Sequence, residues 1–163
     1  MSIDGMHLVL LRHGEAERLA DRDAMRRLTQ RGRAEAGAAA RAIAALALPA
    51  PVVVASPYLR AQETAEIVAA VLGVGQVAEI RGITPDDNPR HALAALSAIC
   101  HPGMAVIAVT HMPLVGILMD LLVQGEAQNP PGIPTAGGGV LEGEVVAPGF
   151  MRLRCAIRPE SCR

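Results

Sequence analysis

Short apolar runs alternate along this chain with longer stretches in which apolar residues recur every three or four positions. The first period belongs to buried strands and the second to helices packed by one face. Met6 to Leu11 is such a run, closed abruptly by Arg12-His13-Gly14-Glu15. Glu15 to Arg27 is charged and poor in large apolar residues, which predicts an exposed connection bordering whatever lies past the first strand. Thr29 is a good N-cap. The helix it opens runs to about Leu48, with Ala36, Ala40, Ile43 and Ala47 on one face, and Pro49 and Pro51 end it.

Val52 to Ala55 predicts a second strand. Ser56-Pro57 then gives an N-cap and a proline at the first helical position. That helix spans about Tyr58 to Leu72, burying Thr64, Ile67, Val68 and Val71, and stops at Gly73 and Gly75. Val77 to Ile80 is a third strand, Thr84 to Pro89 a turn, and Arg90 to Ile99 a helix with Leu93 and Leu96 inward. His101-Pro102-Gly103 turns the chain into a strong strand, Met104 to Val109. Thr110-His111-Met112-Pro113 leads into a helix to about Val123, apolar almost all round and therefore buried. A loop from Gly125 to Gly138 holds three prolines. Gly139 to Val146 and Met151 to Ile157 predict two antiparallel strands joined by Ala147-Pro148-Gly149, and the tail after Arg158 is expected to be loose. The alternation predicts an α/β fold: a three-layer α/β/α sandwich whose sheet is mostly parallel, with an antiparallel C-terminal hairpin.

The 163 residues suit a single domain, 1–163, with a sizeable core. A 51% hydrophobic content and a mean hydropathy of +0.31 place the chain among globular proteins. Net charge is -1, and the basic residues are scattered without aromatics between them, which argues against nucleic acid as partner. Arg, Asp, Gly or Pro interrupts every apolar run, so no membrane span is expected. Met1 to Met6 has no basic lead-in of the kind a signal peptide carries. Cys100, Cys155 and Cys162 form no C-x-x-C pair. The first two read as core residues and the third as a tail thiol, and reduced thiols fit a cytoplasmic protein.

Three strand-to-helix junctions carry polar groups that an open α/β sheet brings to one crevice. They are Arg12-His13, Ser56 to Arg60, and Thr110-His111. Two arginines and two histidines converging beside a helix amino terminus make a site for a dianion, most obviously phosphate. Arg12 and Arg60 would hold phosphoryl oxygens, and one neutral histidine would attack in line while the other hydrogen-bonds the transferring group. The arginines take the role of a metal, so neither metal nor cofactor is expected. Each residue also has a plain structural reading: Arg60 as a solvated cation, His111 as a packed histidine, Ser56 and Thr29 as caps. His7, His91 and His101 read as structural or surface residues.

The motifs Leu11-Arg12-His13-Gly14-Glu15, Leu28-Thr29-Gln30-Arg31-Gly32, Ala55-Ser56-Pro57-Tyr58-Leu59-Arg60-Ala61-Gln62-Glu63-Thr64-Ala65 and Val109-Thr110-His111-Met112-Pro113 resemble, in order, those of the histidine phosphatase (phosphoglycerate mutase-like) superfamily. The resemblance implies His13 as the phosphorylated nucleophile, with Arg12, Arg60 and His111 completing the phosphate pocket. Gly14, Ser56, Met112 and Thr135 are expected to line it. Short length, His111 to Gly116, Ile83-Thr84-Pro85 and the Thr135 loop are most similar to the SixA-type phosphohistidine phosphatases. That likeness implies a phosphorylated protein substrate, such as a histidine phosphotransfer domain.

Two departures stand out. Glu63 occupies a position where the family usually has Gln, and a packing role is expected for it. The longer insertion that carries an acidic proton donor in mutase-like members is absent, leaving only Asp86 and Asp87 nearby as candidate donors. An imidazole leaves more readily than an alkoxide and needs no dedicated acid. The expectation is therefore a metal-independent phosphatase acting on protein phosphohistidine. A phosphatase of small sugar or nucleotide phosphates and a non-catalytic phosphate-binding module stand as alternatives.

Overall fold

A computed structural model describes residues 5–159. Cys162 and the residues before Gly5 lie outside that range. Eleven elements follow in chain order, ten of them regular: β1 (Met6–Arg12), α1 (Gln30–Ala45), β2 (Pro51–Ala55), α2 (Leu59–Leu72), β3 (Val77–Glu79), α3 (Pro89–Ser97), β4 (Ala105–Thr110), α4 (Leu114–Gln124), β5 (Gly138–Gly143) and β6 (Arg152–Ile157), with a short 3-10 turn at Asp23–Met25.

The strands form one sheet in the order β3-β2-β4-β1-β5-β6. β1, β2, β3 and β4 run parallel, and β5 runs against both β1 and β6. From β1 the chain moves outward through β2 to β3, then returns to β4 between β2 and β1. Right-handed crossovers put outward and returning helices on opposite faces. The side chains of β1 record this. Leu8 and Leu10 join the core beneath α3 and α4, while Val9 and Leu11 join the one beneath α1 and α2. β4 alternates likewise, with Val106 and Ala108 on the first side and Ile107 and Val109 on the second. The sandwich and its C-terminal hairpin are as the sequence predicts.

Three apolar positions differ from expectation, Ile67 of α2 being only half-buried. α1 ends at Ala45, and Ala47 is exposed with φ 49 in the turn beyond. On α2 the alanines Ala61, Ala65 and Ala69 form the buried stripe, and Val71 is 42% exposed. Small residues win that face because α1 packs alongside α2 with its own alanines, Ala36, Ala39 and Ala40. Cys100 is buried as expected and Cys155 half-buried.

Candidate active site

Three of the parallel strands, β2, β4 and β1, are neighbours, so their carboxyl ends form one edge. Registry does the rest: Arg12 pairs with Thr110 and Ala55 with Val109. The amide of His13 donates to the Thr110 carbonyl at 3.1 Å, and that of Ser56 to the Val109 carbonyl at 3.1 Å. His13, Ser56 and His111 therefore stand side by side where the sheet stops. The two imidazole centroids are 5.1 Å apart.

His13 is 7% exposed. Its Nδ1 lies 2.7 Å from the Gly14 carbonyl. A carbonyl can only accept, so Nδ1 carries the proton, and the lone pair of neutral His13 is on Nε2. Arg60 Nε donates to that Nε2 at 3.2 Å. The Gly14 amide in turn donates to Thr64 Oγ1 at 3.1 Å, and that hydroxyl donates to the Arg60 carbonyl at 2.8 Å. Thr64 thus ties the loop after β1 to the first turns of α2. Gly14 serves packing here. A Cβ on it would stand 2.4 Å from the Gly32 carbonyl oxygen, and one on Gly32 would stand 2.0 Å from that of Glu15.

Arg60 is 4% exposed despite its charge. Its Nη1 donates to the Asp23 carbonyl at 2.8 Å, its Nη2 reaches Asp23 Oδ2 at 3.2 Å, and its guanidinium lies 5.0 Å from the Tyr58 ring centroid. Arg12 donates from Nη1 to the Ile133 carbonyl at 2.8 Å. Its Nε is buried and has no partner among the described residues. His111 Nε2 is 2.7 Å from Ser56 Oγ, which already accepts from the Tyr58 amide at 3.1 Å. A Ser56 hydroxyl that donates to Nε2 leaves the His111 proton on Nδ1. That atom is buried and also unpartnered among the described residues. A tetrahedral oxyanion supplies acceptors for both orphan donors.

Burial, first, and then the surrounding arginines push the His13 imidazole down to about 4. Burial, followed by His13 and Arg60, pushes His111 down to about 3, with Asp23 opposing. Both rings are neutral at physiological pH. A site with a neutral nucleophile, a neutral hydrogen-bond donor and fixed cations suits in-line transfer of a phosphoryl group. Among the described residues, no cluster of three or more His, Cys, Asp or Glu is arranged to hold a metal.

The remaining expected residues fall as follows. Ser56 caps the turn at Tyr58, the actual N-cap of α2, and its hydroxyl faces His111; Pro57 precedes the helix. Met112 packs partly against the core beneath α3 and α4. Thr135 gives its hydroxyl to Glu35 at 2.9 Å, while its neighbour Ala136 donates its amide to the His13 carbonyl at 2.9 Å. Asp87 accepts from the Thr84 amide and hydroxyl at 2.7 and 2.6 Å, and Asp86 is exposed. Glu63, 7% exposed, is an anchor more than a packing residue: it accepts from the Leu28 amide at 2.9 Å and from Arg33 at 2.5 Å.

Sequence reasoning missed Asp23 and Arg26. Asp23 bridges Arg60 and Arg26, whose Nη1 is 3.0 Å from Asp23 Oδ1. The Asp23-x-x-Arg26 spacing was the available signal, but it sits in a segment whose polarity alone explains such residues.

Residues 8–84 match the family model of the histidine phosphatase superfamily, branch 1. The phosphohistidine phosphatase SixA of Escherichia coli (strain K12) is 34% identical over 133 residues, 80% of this chain and 81% of that protein. A solved structure of the protein histidine phosphatase SixA complexed with tungstate superposes with a TM-score of 0.83 at 27% identity, covering 97% of this chain and all of that one. The mitochondrial serine/threonine-protein phosphatase Pgam5 of Drosophila ananassae matches locally, at 40% identity over 62 residues, 38% of this chain and 22% of that protein.

Proposed function

The chain belongs to the histidine phosphatase superfamily and is a hydrolase, and on that premise we propose that it removes phosphate from phosphohistidine on a signalling protein, through a phosphorylated His13. The observation that carries the reading is the His13 tautomer: the Gly14 carbonyl holds the Nδ1 proton, so the Nε2 lone pair, hydrogen-bonded by Arg60 Nε–H, lies at the edge that also carries His111. The relative's name, phosphohistidine phosphatase, supports the substrate class.

In the first step the His13 Nε2 lone pair forms the new P–N bond as the P–N bond to the substrate imidazole breaks. The departing imidazole nitrogen takes its proton from water. Arg60 Nε–H, which caps Nε2 in the resting site, passes to a phosphoryl oxygen; Arg12 Nε–H and His111 Nδ1–H hold others. In the second step water attacks phosphorus, the P–Nε2 bond breaks, and inorganic phosphate leaves. Throughout, the Nδ1–H bond to Gly14 keeps the ring from turning. The arginines neutralise the phosphoryl charge, so the reaction runs without a metal.

The carboxylate bonded to Arg60 is a poor proton donor for the leaving group. Asp23, the acid that His111 feels, is itself held ionised by hydrogen bonds from Arg26 and by Arg60. That favours a leaving group that departs easily, as imidazole does. The segment that carries Asp23 exposes Leu19 at 86% and Met25 at 56%. We read residues 1–163 as one catalytic domain, working in the cytoplasm; no helix among the described residues is long and apolar enough to cross a membrane.

The test is direct. A phosphorylated histidine phosphotransfer domain is incubated with the protein and with His13→Ala. Loss of phosphate with the first and retention with the second is expected. Equal loss with both would overturn the mechanism, and high efficiency on a sugar or nucleotide phosphate with none on phosphohistidine would overturn the substrate.

A further inference from the structure

Arg60 offers two donors along one side of its guanidinium, Nε–H and one N–H of Nη2, the pair that grips two oxygens of one phosphoryl group at once. In this structure neither is idle. Nε donates to His13 Nε2 at 3.2 Å, and Nη2 to Asp23 Oδ2 at 3.2 Å. A carboxylate oxygen of the chain itself therefore stands where a substrate's oxygen would bind. Its other oxygen is held at 3.0 Å by Arg26 Nη1, and Arg26 is one of the cations felt by His13. Asp23 thus joins two arginines at the mouth of the pocket, with its side chain 58% exposed. Its main-chain carbonyl separately holds Arg60 Nη1 at 2.8 Å, so the guanidinium stays oriented without the carboxylate.

The charges give this contact a consequence. With His13 and His111 neutral, Arg12, Arg26 and Arg60 carry the positive charge of the site; Glu35 acts on Arg12, and Asp23 is the carboxylate on Arg60 and Arg26. A substrate bearing a further anionic group, such as a carboxylate or second phosphate near the reacting one, brings its surplus charge toward the Asp23 carboxylate. Like charges in a partly desolvated site repel appreciably. A protein imidazole brings no such charge.

We infer that Asp23 is a specificity-determining residue, whose carboxylate on Arg60 and Arg26 admits phosphoryl groups carried on neutral or cationic leaving groups and turns away polyanionic phosphate esters. This deepens the phosphohistidine reading and rests on it. An incoming phosphoryl oxygen replaces Asp23 Oδ2 on Arg60 Nη2, and the carboxylate, still on Arg26, stays at the rim facing the leaving group.

The experiment has a binding arm and a turnover arm. Orthophosphate and pyrophosphate are titrated calorimetrically, in metal-free buffer, into the wild type, Asp23→Asn and Asp23→Ala. Both variants are expected to gain affinity for pyrophosphate over orthophosphate by about tenfold, ~1.4 kcal/mol. An unchanged ratio, or equal weakening of both anions, would show that Asp23 merely props Arg60 and would overturn the inference. In the turnover arm, kcat/KM for phosphoimidazole relative to 3-phosphoglycerate is expected to fall about tenfold in Asp23→Asn. A wild type inactive on phosphoimidazole would overturn the phosphohistidine reading instead, and the binding arm still decides the role of Asp23.

Discussion

At the scale of single residues, the account turns on two neutral imidazoles. A histidine in an unfolded chain titrates near its ordinary value of about 6.5. His13 in the folded protein titrates at about 4 and His111 at about 3. The folded state prefers both rings uncharged. Their contribution to stability is present in full above the unfolded value and is lost as pH falls from there through the folded values, because the unfolded chain takes up protons that the native site refuses. Urea denaturation at stepwise pH should show the midpoint falling across that window, and replacing His13 with Gln should flatten the slope. Titration of the His13 ring by nitrogen-15 NMR should give a midpoint near 4 with the Nδ1–H tautomer at neutral pH. A midpoint at the ordinary histidine value would contradict the burial argument. Ser56→Ala leaves His111 Nε2 without its 2.7 Å partner. It should lower kcat about tenfold and stability by ~1 kcal/mol, since the Tyr58 amide loses its acceptor too. Arg12, His13, Arg60 and His111 were legible because each sits at or within a few residues of a strand's carboxyl end. Asp23 was not, because its role depends on where α2 presents Arg60, thirty-seven residues later.

Among the elements, the entry to α1 shows how closely the loop after β1 is packed. Thr29 Oγ1 accepts from the Gly32 amide at 3.0 Å and donates to Glu15 Oε1 at 2.9 Å, so the cap also grips the loop that follows His13. A Cβ at Gly32 would collide with the Glu15 carbonyl oxygen at 2.0 Å. Gly32→Ala should therefore destabilise the protein by ~2 kcal/mol or more, although alanine is the better helix former. It should also lower kcat by displacing Gly14, which holds the His13 proton. Chemical denaturation and steady-state rates check both, and a variant more stable than the wild type would contradict the close approach. Thr29 as cap and Gly73 as left-handed terminator of α2, at φ 72, were legible because capping chemistry is local. The burial of Ala69 over Val71 was not, since it depends on which face of α2 meets α1.

For the whole molecule, the sheet order is what gathers the site. β4 sits between β2 and β1, so junctions far apart in sequence become adjacent at one edge. Alternating strand and helix patterns predicted the class of sandwich, but strand order is set by crossovers, which leave no mark on periodicity. The arginine-based charge balance predicts that activity survives exhaustive treatment with a chelator; loss restored by a divalent cation would contradict it. The most direct measurement of the central claim is the position of the phosphoryl group in the intermediate. Rapid quench of a turnover reaction in base, followed by peptide mass spectrometry and phosphorus NMR, should find an acid-labile phosphoryl group on Nε2 of His13. A phosphoryl group on Nδ1, on His111 or on any other residue, or turnover by His13→Ala at the wild-type rate, would contradict it.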